Sequence, residues 1–536
     1  MGECDMPDQH SQTSVLIVGG GYAGLASAVF LSAHGVRCIL ADRHPAVSVQ
    51  GRARGINQRT MELYRPLGLE PALLEAARPF AGDSGVARCQ VLAGDWEWLF
   101  DPEPDPAAAL ASPSGFCMAD QNTVEPLLRA AARERGADLR LDTEVTDVAI
   151  GADGITAVLA GSAGTSSRTV VRADYLIAAD GHASPLRSLA GIGRTGPGVT
   201  QHWVSIVIDA DLDQVITKRA LFWIVLNEQL GFASFVTTAT PGRWAVSVTY
   251  DPRTTSPADF TAGRCTQIAH AALGRDDIGV TVISVAAWEQ AVGVADAYRS
   301  GRVFLAGDSA HVWPPAGAMG ANSAVQDASN LAWKLGAVRA GLAGDALLDT
   351  YEAERRPVAL ALADLTVRRQ AARFGGGLDD DIDDLVLTLG QRYRSAAILG
   401  DAAGAPFGRP VADRPEAGAR MPHAWLVRDG ARVSSHDLFT GGFVLLAGPR
   451  AEAWLEAADQ ARAAAGVRLD AWRIGHDLAD PDGAWRRFAL PTGAAVLARP
   501  DGYVAWIGEE ASAPALTGAL RGLLQVPGAG APGGGG

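Results

Sequence analysis

The stretch SVLIVGGGYAGLASAVFLSAHGVRCILADRHP, Ser14 to Pro45, admits few folds. Val15 to Val18 is a short apolar run of the kind that forms a buried strand. Gly19, Gly21 and Gly24 follow as GxGxxG, and Leu25 to Ala33 continues with helical spacing. A second apolar run ends at Asp42, eighteen residues beyond Gly24, with Arg43 beside it. Strand, glycine turn, helix, strand and acid, in that order, are the context of a dinucleotide site. Gly19 permits the tight turn, and Gly21 lets backbone N–H groups approach a pyrophosphate. Gly24 lets the helix pack close, with its positive end toward the phosphates. Asp42 is the expected partner of a ribose diol.

Other stretches bear on which dinucleotide is bound. GRARGINQRTMELYRPLGL places Arg52, Arg54 and Arg59 after the second strand. A solvated basic loop is the plain alternative, but arginines so close to a phosphate turn favour a larger cofactor. MADQNTVEPLLRAAARERGADLRL reads as an amphipathic helix with Gln121 at its entrance and Glu125 one turn later. YLIAADGHASPLRSLAGI is a strand running into Asp180 and Gly181, with Ser184 and Arg187 completing DGxxSxxR. GRVFLAGDSAH is another strand, ending at Gly307 and Asp308.

GxGxxG, DGxxSxxR and GD, in this order over about the first 370 residues, resemble the FAD-dependent aromatic hydroxylases, the single-component class A flavoprotein monooxygenases. The resemblance is closest to the members that tailor aromatic polyketides in actinobacteria. It implies non-covalent FAD, with Asp180, Gly181 and Arg187 serving pyrophosphate and NAD(P)H, and Asp308 serving the ribityl chain. The family's arginine after the second strand and its glutamine at the helix start fall on Arg52 and Gln121. GxGxxG recurs as GIGRTG (Gly191 to Gly196) and GAGAPG (Gly528 to Gly533), but neither stands between an apolar strand run and a helix, which fits a nicotinamide cofactor, NADPH or NADH, that visits transiently. In GDSAHVWPPAGAMGAN, Pro314 and Pro315 set a rigid corner, and Gly317 through Ala321, with Gly320 between them, brings backbone N–H groups close to the flavin edge. A helix expected to start near Asn322 would direct its positive end at flavin N1–C2=O, worth up to ~2 kcal/mol to the reduced anion. Ala318 stands where the family usually has a second glycine, so a positive φ there would be strained. His311, inside the GD motif, suits a structural hydrogen bond better than a catalytic base.

The fold class expected is α/β: a Rossmann-like FAD domain with an inserted antiparallel-sheet substrate domain and a C-terminal thioredoxin-like domain. The boundaries expected are 1–80, 110–190 and 290–395 for FAD, 81–109 and 191–289 for substrate, and 396–525 for the C-terminal domain. A disordered tail is expected over 526–536. HWVSIVIDADL, RALFWIVLN, GFASFVTTAT and RWAVSVTYD are the alternating runs of the substrate sheet. Trp203, Phe222, Trp223, Phe235 and Trp288 are candidates to line a flat aromatic pocket, with Phe222, Trp223 and Trp288 put first. Most such rings fill cores, so one or two are expected to touch ligand. The C-terminal region has no CxxC, which favours a packing or dimer role over redox chemistry.

The resemblance implies that NAD(P)H reduces FAD, O2 adds at flavin C4a, and the hydroperoxide passes an OH+ equivalent to an electron-rich phenol. Arg368, Arg369 and Arg373 form a basic group after the flavin-facing helix, and Arg373 is the candidate to steady a substrate phenolate. A Baeyer–Villiger or ring-remodelling oxygenase is the nearest alternative, then a flavin reductase or dehydrogenase, then a non-catalytic flavin-binding protein. No metal site is expected: the five acids between Asp379 and Asp384 have no His or Cys nearby. A formal net charge of -14 argues against nucleic acid as partner, and no apolar run reaches the ~18 residues of a membrane span. Five cysteines without a CxxC pair and no visible signal peptide favour a reduced, cytoplasmic chain; a monomer or a homodimer is expected, with neither preferred. The partners expected are an aromatic polyketide and O2.

Overall fold

Val15, Leu16 and Ile17 are all fully buried, as a strand covered on both faces requires. In the computed structural model they lie in the strand Gln9–Val18, among the parallel strands at the centre of a mixed sheet. The structure describes residues 9–47, 53–100, 106–161, 168–216, 219–315, 317–374, 383–400, 404–410 and 414–526. Cys4, Arg52, the acids Asp379 to Asp381 and the tail beyond 526 lie outside these residues, as does the side chain of Arg373.

Gln9–Val18 pairs in parallel with Cys38–Asp42 on one side and Arg168–Ala178 on the other. Asp138–Leu141 and Val303–Leu305 extend the sheet in the same sense. The register sets Ala41, Val18, Ala178 and Leu305 in one row. Every motif that follows these residues therefore opens on one carboxyl edge, where open α/β sheets bind ligands. Two helices, Tyr22–Ala33 and Met319–Arg339, pack on this sheet and on each other around Gly307. A Cβ on Gly307 would collide with Ala23 and crowd Ala324.

The second large sheet runs, in spatial order, His311–Val312, Thr281–Ala295, Arg194–Asp209, Arg243–Tyr250, Gly231–Thr237, Ala220–Asn227, Ser84–Cys89 and Trp96–Phe100. It corrects the purely antiparallel expectation: Ala220–Asn227 and Ser84–Cys89 are parallel, with Trp223 opposite Ala87. One face is sealed by the helix Ala262–Leu273, whose Cys265, Ile268, Ala269 and Ala272 share a core with Val204, Ile206, Phe235 and Val246. The opposite face carries Trp203, Phe222, Phe232, Trp288 and Gln290 by alternation.

A four-stranded sheet follows, ordered Leu469–Arg473, Phe443–Ala447, Ala495–Ala498, Val504–Gly508. Its first two strands are parallel and joined through the helix Ala453–Ala465, and the last two form a hairpin leading to the helix Ala513–Leu523. Alternate residues fill cores on both faces: Leu445 and Leu497 against Trp454, Leu446 and Val496 against Trp485. Buried charges join this unit to the rest. Arg420 pairs with Glu62 (2.7 Å at Nε) and Arg499 with Glu354 (2.6 Å).

Candidate functional site

The glycine turn at the carboxyl edge has no room for side chains at three of its positions. Gly19 has φ +107°, and a Cβ there would strike the Ala179 carbonyl. A Cβ on Gly24 would strike the Gly19 carbonyl, and one on Gly20 the Asp42 carboxylate. Gly21 differs: the nearest atom to its Cβ position is Glu125 Oε1 at 4.0 Å. The missing side chain there leaves space in front of the helix Tyr22–Ala33, which has no side-chain cap and no acid in its first turn. Orphan N–H groups facing open space are the requirement of a pyrophosphate, so these residues fit FAD.

Asp42 accepts the Gly20 N–H at 2.5 Å and the His44 N–H at 2.7 Å, with exposed Arg43 between them. Gln121 Oε1 accepts the Ala53 N–H at 3.3 Å, and its amide donates to Glu125 at 2.7 Å, so both lie beside Gly21. Ser184 (φ +35°) donates to Asp180 at 2.6 Å and caps the Arg187 N–H. The other Asp180 oxygen accepts the Leu186 N–H at 3.0 Å, and Gly181 stands in open space at φ +85°. Arg187 is buried and spends its guanidinium on carbonyls, reaching Ser309 at 3.1 Å. It ties the DG segment to the GD turn rather than presenting a free charge.

The GD turn, Gly307–Ser309, leaves the Asp308 side chain exposed at the edge while Ser309 is anchored to the Ala178 carbonyl at 2.6 Å. Beneath it Asp327, fully buried, accepts from the Gly307 N–H (3.2 Å), His311 Nε2 (2.8 Å) and Arg355 Nε (2.7 Å). Burial pushes the Asp327 carboxyl up, but Arg355 and His311 outweigh it and hold its pKa below the ordinary value. His311 is thus a buried structural partner stacked on Trp313 at 4.4 Å. Asp327 was not legible as a site residue. Its signal was the one acid of the helical stretch Met319–Arg339.

Pro314 is buried and Pro315 exposed, with the Pro315 carbonyl accepting the Ala318 N–H at 3.2 Å. Ala318 does take positive φ, +55°, as the N-cap of the helix Met319–Arg339, which has no side-chain cap and no acid in its first turn. The helix begins three residues before the expected start. Asn322 therefore sits inside its first turn and holds Gly55, Asn57 and Ala318 by side-chain hydrogen bonds of 2.8–3.2 Å. That role is a tie between segments, a correction to placing Asn322 at the helix entrance. Gly317 has φ +90°, with Arg369 Nη1 3.3 Å from its Cβ position, and the Cβ position of Gly320 lies 3.8 Å from Trp313 Nε1. Of Arg368 and Arg369 in the helix Asp349–Phe374, the structure brings Arg369 to the loop.

The aromatic candidates separate by face. Trp223 belongs to the core under the helix Ala262–Leu273, 2% exposed, because strand alternation turns it away from the open face. It is not a lining residue. Phe222 and Trp288 lie on the opposite face, where Trp288 stacks on Trp203 at 5.5 Å with planes 9° apart. Phe232 meets Trp203 edge-on at 5.7 Å, and Trp288 Nε1 donates to Ser205 at 2.9 Å. Among the described residues no three His, Cys, Asp or Glu side chains are grouped to hold a metal, and no helix is long and apolar enough to cross a membrane.

Comparison with known proteins agrees with this geometry. Residues 12–366 match the family described as FAD binding domain, and residues 414–527 match the aromatic-ring hydroxylase C-terminal family. The chain is 40% identical to a tetracenomycin A2 monooxygenase-dioxygenase of Streptomyces glaucescens, covering 98% of both chains. It is 38% identical to the aklavinone 12-hydroxylase RdmE of Streptomyces purpurascens, over 96% of this chain and 99% of that one. The crystal structure of aklavinone-11 hydroxylase with FAD and aklavinone superposes with a TM-score of 0.89 at 36% identity, covering 97% of this chain and 100% of the other.

Proposed function

The chain belongs to the FAD-dependent aromatic-ring hydroxylases and is an FAD-dependent monooxygenase, and from that premise we propose that it hydroxylates a phenolic polycyclic aromatic of polyketide type with NAD(P)H and O2. The observation that carries this reading is the shared edge: the glycine turn, Asp42, Asp180 and the GD turn all follow one register row. The substrate class is supported by the Trp203–Trp288 stack and by relatives named for such compounds.

Bound FAD supplies the relay of two electrons from NAD(P)H to O2 that hydroxylation needs. The chain's own residues bind and orient. Asp42, with Arg43 beside it, takes the ribose end, Gln121 flanks the glycine turn, and Asp308 takes the ribityl chain. Arg187 acts by holding the DG segment against the GD turn. The uncapped first turn of Met319–Arg339 presents N–H groups and positive potential to the ring, favouring a reduced anion. Phe222 and Trp288 offer apolar walls, and Arg369, paired with Asp384 at 2.5 Å, brings its guanidinium to the flavin loop.

The strand order of the C-terminal sheet supports reading 396–525 as a thioredoxin-like unit. The test is incubation of FAD-loaded protein with NADPH or NADH, oxygen-18 gas and phenolic polycyclic quinones. One added labelled oxygen on an intact ring supports hydroxylation. An ester or an opened ring overturns it in favour of a Baeyer–Villiger outcome, and NAD(P)H consumption without incorporation overturns both.

A further inference from the structure

Where the helix Asp349–Phe374 crosses the open face of the second sheet, three glutamines meet. Gln370 Nε2 donates to Gln201 Oε1 and to Gln290 Oε1, each at 2.9 Å. Gln290 Nε2 in turn donates to Thr200 Oγ1 at 3.0 Å. The Thr200 hydroxyl spends its one proton on the Gln290 main-chain carbonyl at 3.2 Å. With the Thr200 proton committed to the main chain, that sequence runs in one direction. Thr200 must accept from Gln290, so the Gln290 amide group faces Thr200 and its oxygen faces Gln370. Gln370 must then present its NH2 group to the sheet, and its carbonyl oxygen is turned the other way. Gln370 Oε1 is enclosed and accepts a hydrogen bond from no described residue.

An enclosed acceptor whose orientation is imposed from two bonds away calls for a donor. Its surroundings describe that donor. Gln201 and Gln290 are opposite each other, and the next pair on the same face is Trp203 and Trp288, the stacked wall. Trp203 Nε1 is also enclosed and donates to no described residue. The neighbour of Gln370 in the helix, Arg369, reaches Gly317 of the flavin loop. One face thus combines flat aromatic surface, a waiting acceptor and a waiting donor. A ring bearing both a hydroxyl and a carbonyl is complementary to that set.

We propose that Gln370 is a specificity-determining residue whose carbonyl accepts the hydrogen bond of a substrate phenol, held in that orientation by the Thr200–Gln290 relay. This rests on the phenolic polycyclic substrate class proposed above. A catechol or phenol hydroxyl is recognised as donor, and its methyl ether is rejected because it leaves the oxygen unsatisfied.

The test titrates FAD-loaded protein with 1,3,8-trihydroxy-6-methylanthraquinone and with its tri-O-methyl ether, following flavin fluorescence. The wild-type chain is expected to prefer the phenol by about tenfold to hundredfold. Gln370→Met keeps the length of the side chain without the acceptor, and is expected to bring the two affinities within about threefold. Thr200→Val frees the Gln290 amide to turn, so it should relax the same preference from a position at the far end of the relay. Retention of the full preference in Gln370→Met, no preference in the wild type, or loss of both affinities in parallel with the ratio unchanged overturns the proposal and leaves the substrate class standing. A wild-type chain that binds neither quinone overturns the substrate class, and this inference with it.

Discussion

Asp327 Oδ2 lies 3.2 Å from the backbone nitrogen of Gly307, twenty residues earlier, and the same oxygen receives His311 Nε2 at 2.8 Å. A single buried carboxylate thus fixes the turn that carries Asp308, while its other oxygen holds Arg355 on the neighbouring helix. Asp327→Asn leaves the Arg355 charge buried without its counter-ion, a loss of about 3–5 kcal/mol. The expected outcome is a lower unfolding midpoint together with weaker FAD retention, read by denaturant titration and by the flavin released on dialysis. Because the folded pKa of Asp327 is depressed, its contribution is present above the unfolded value of about 4 and is lost as pH falls through the folded value.

Ala318 occupies left-handed backbone at φ +55° where glycine is at ease. Ala318→Gly relieves about 1–2 kcal/mol of conformational strain. It also adds about 0.4–1 kcal/mol of unfolded-chain entropy, so the net change is a gain of up to about 1.6 kcal/mol. Ala318→Val, branched at Cβ, should lose stability instead. Equilibrium unfolding of the two variants gives the sign.

Trp223 and Trp288 are predicted to fail differently. Trp223→Ala empties a core position and should cost about 3–5 kcal/mol, with substrate discrimination unchanged in whatever folds. Trp288→Ala, half-buried on the open face, should cost less stability and raise KM for the aromatic substrate. Paired Tm and KM measurements separate the two roles.

His423 is enclosed between the C-terminal unit and the rest of the chain, with Nδ1 2.9 Å from Ser434 Oγ. Burial lowers its pKa from 6.5 to about 4, with Glu62 opposing that shift. The unfolded chain therefore takes up the proton first, and stability falls as pH drops from 6.5 toward 4. The share lost through this residue is up to about 3 kcal/mol. His34 behaves in the same way. Unfolding free energies measured across that window should fall less steeply in His423→Gln than in the wild type.

The parts of the site that were legible in the sequence are those where the backbone itself is demanded. Gly19, Gly24 and Gly307 have neighbours that no side chain could share, so the glycine pattern reported the turn directly. Ala318 was legible for the converse reason, as a side chain where none is comfortable. Trp223 was not, because the face it takes depends on which side of the sheet the helix Ala262–Leu273 covers, and alternation alone leaves both faces equivalent. The parallel pairing of Trp223 with Ala87 joins strands far apart in the chain, and no local pattern records it. Asp327 and Arg355 meet only after two long helices pack, so no local pattern joins them.

The most direct test of the central claim is a single turnover of FAD-loaded protein with NAD(P)H, oxygen-18 gas and a bound phenolic polycyclic quinone, followed by mass spectrometry of the product. The account predicts one labelled oxygen on an intact aromatic ring, formed in proportion to the NAD(P)H consumed. Oxidation of NAD(P)H with the label recovered only as hydrogen peroxide, for every polycyclic phenol offered, would contradict it.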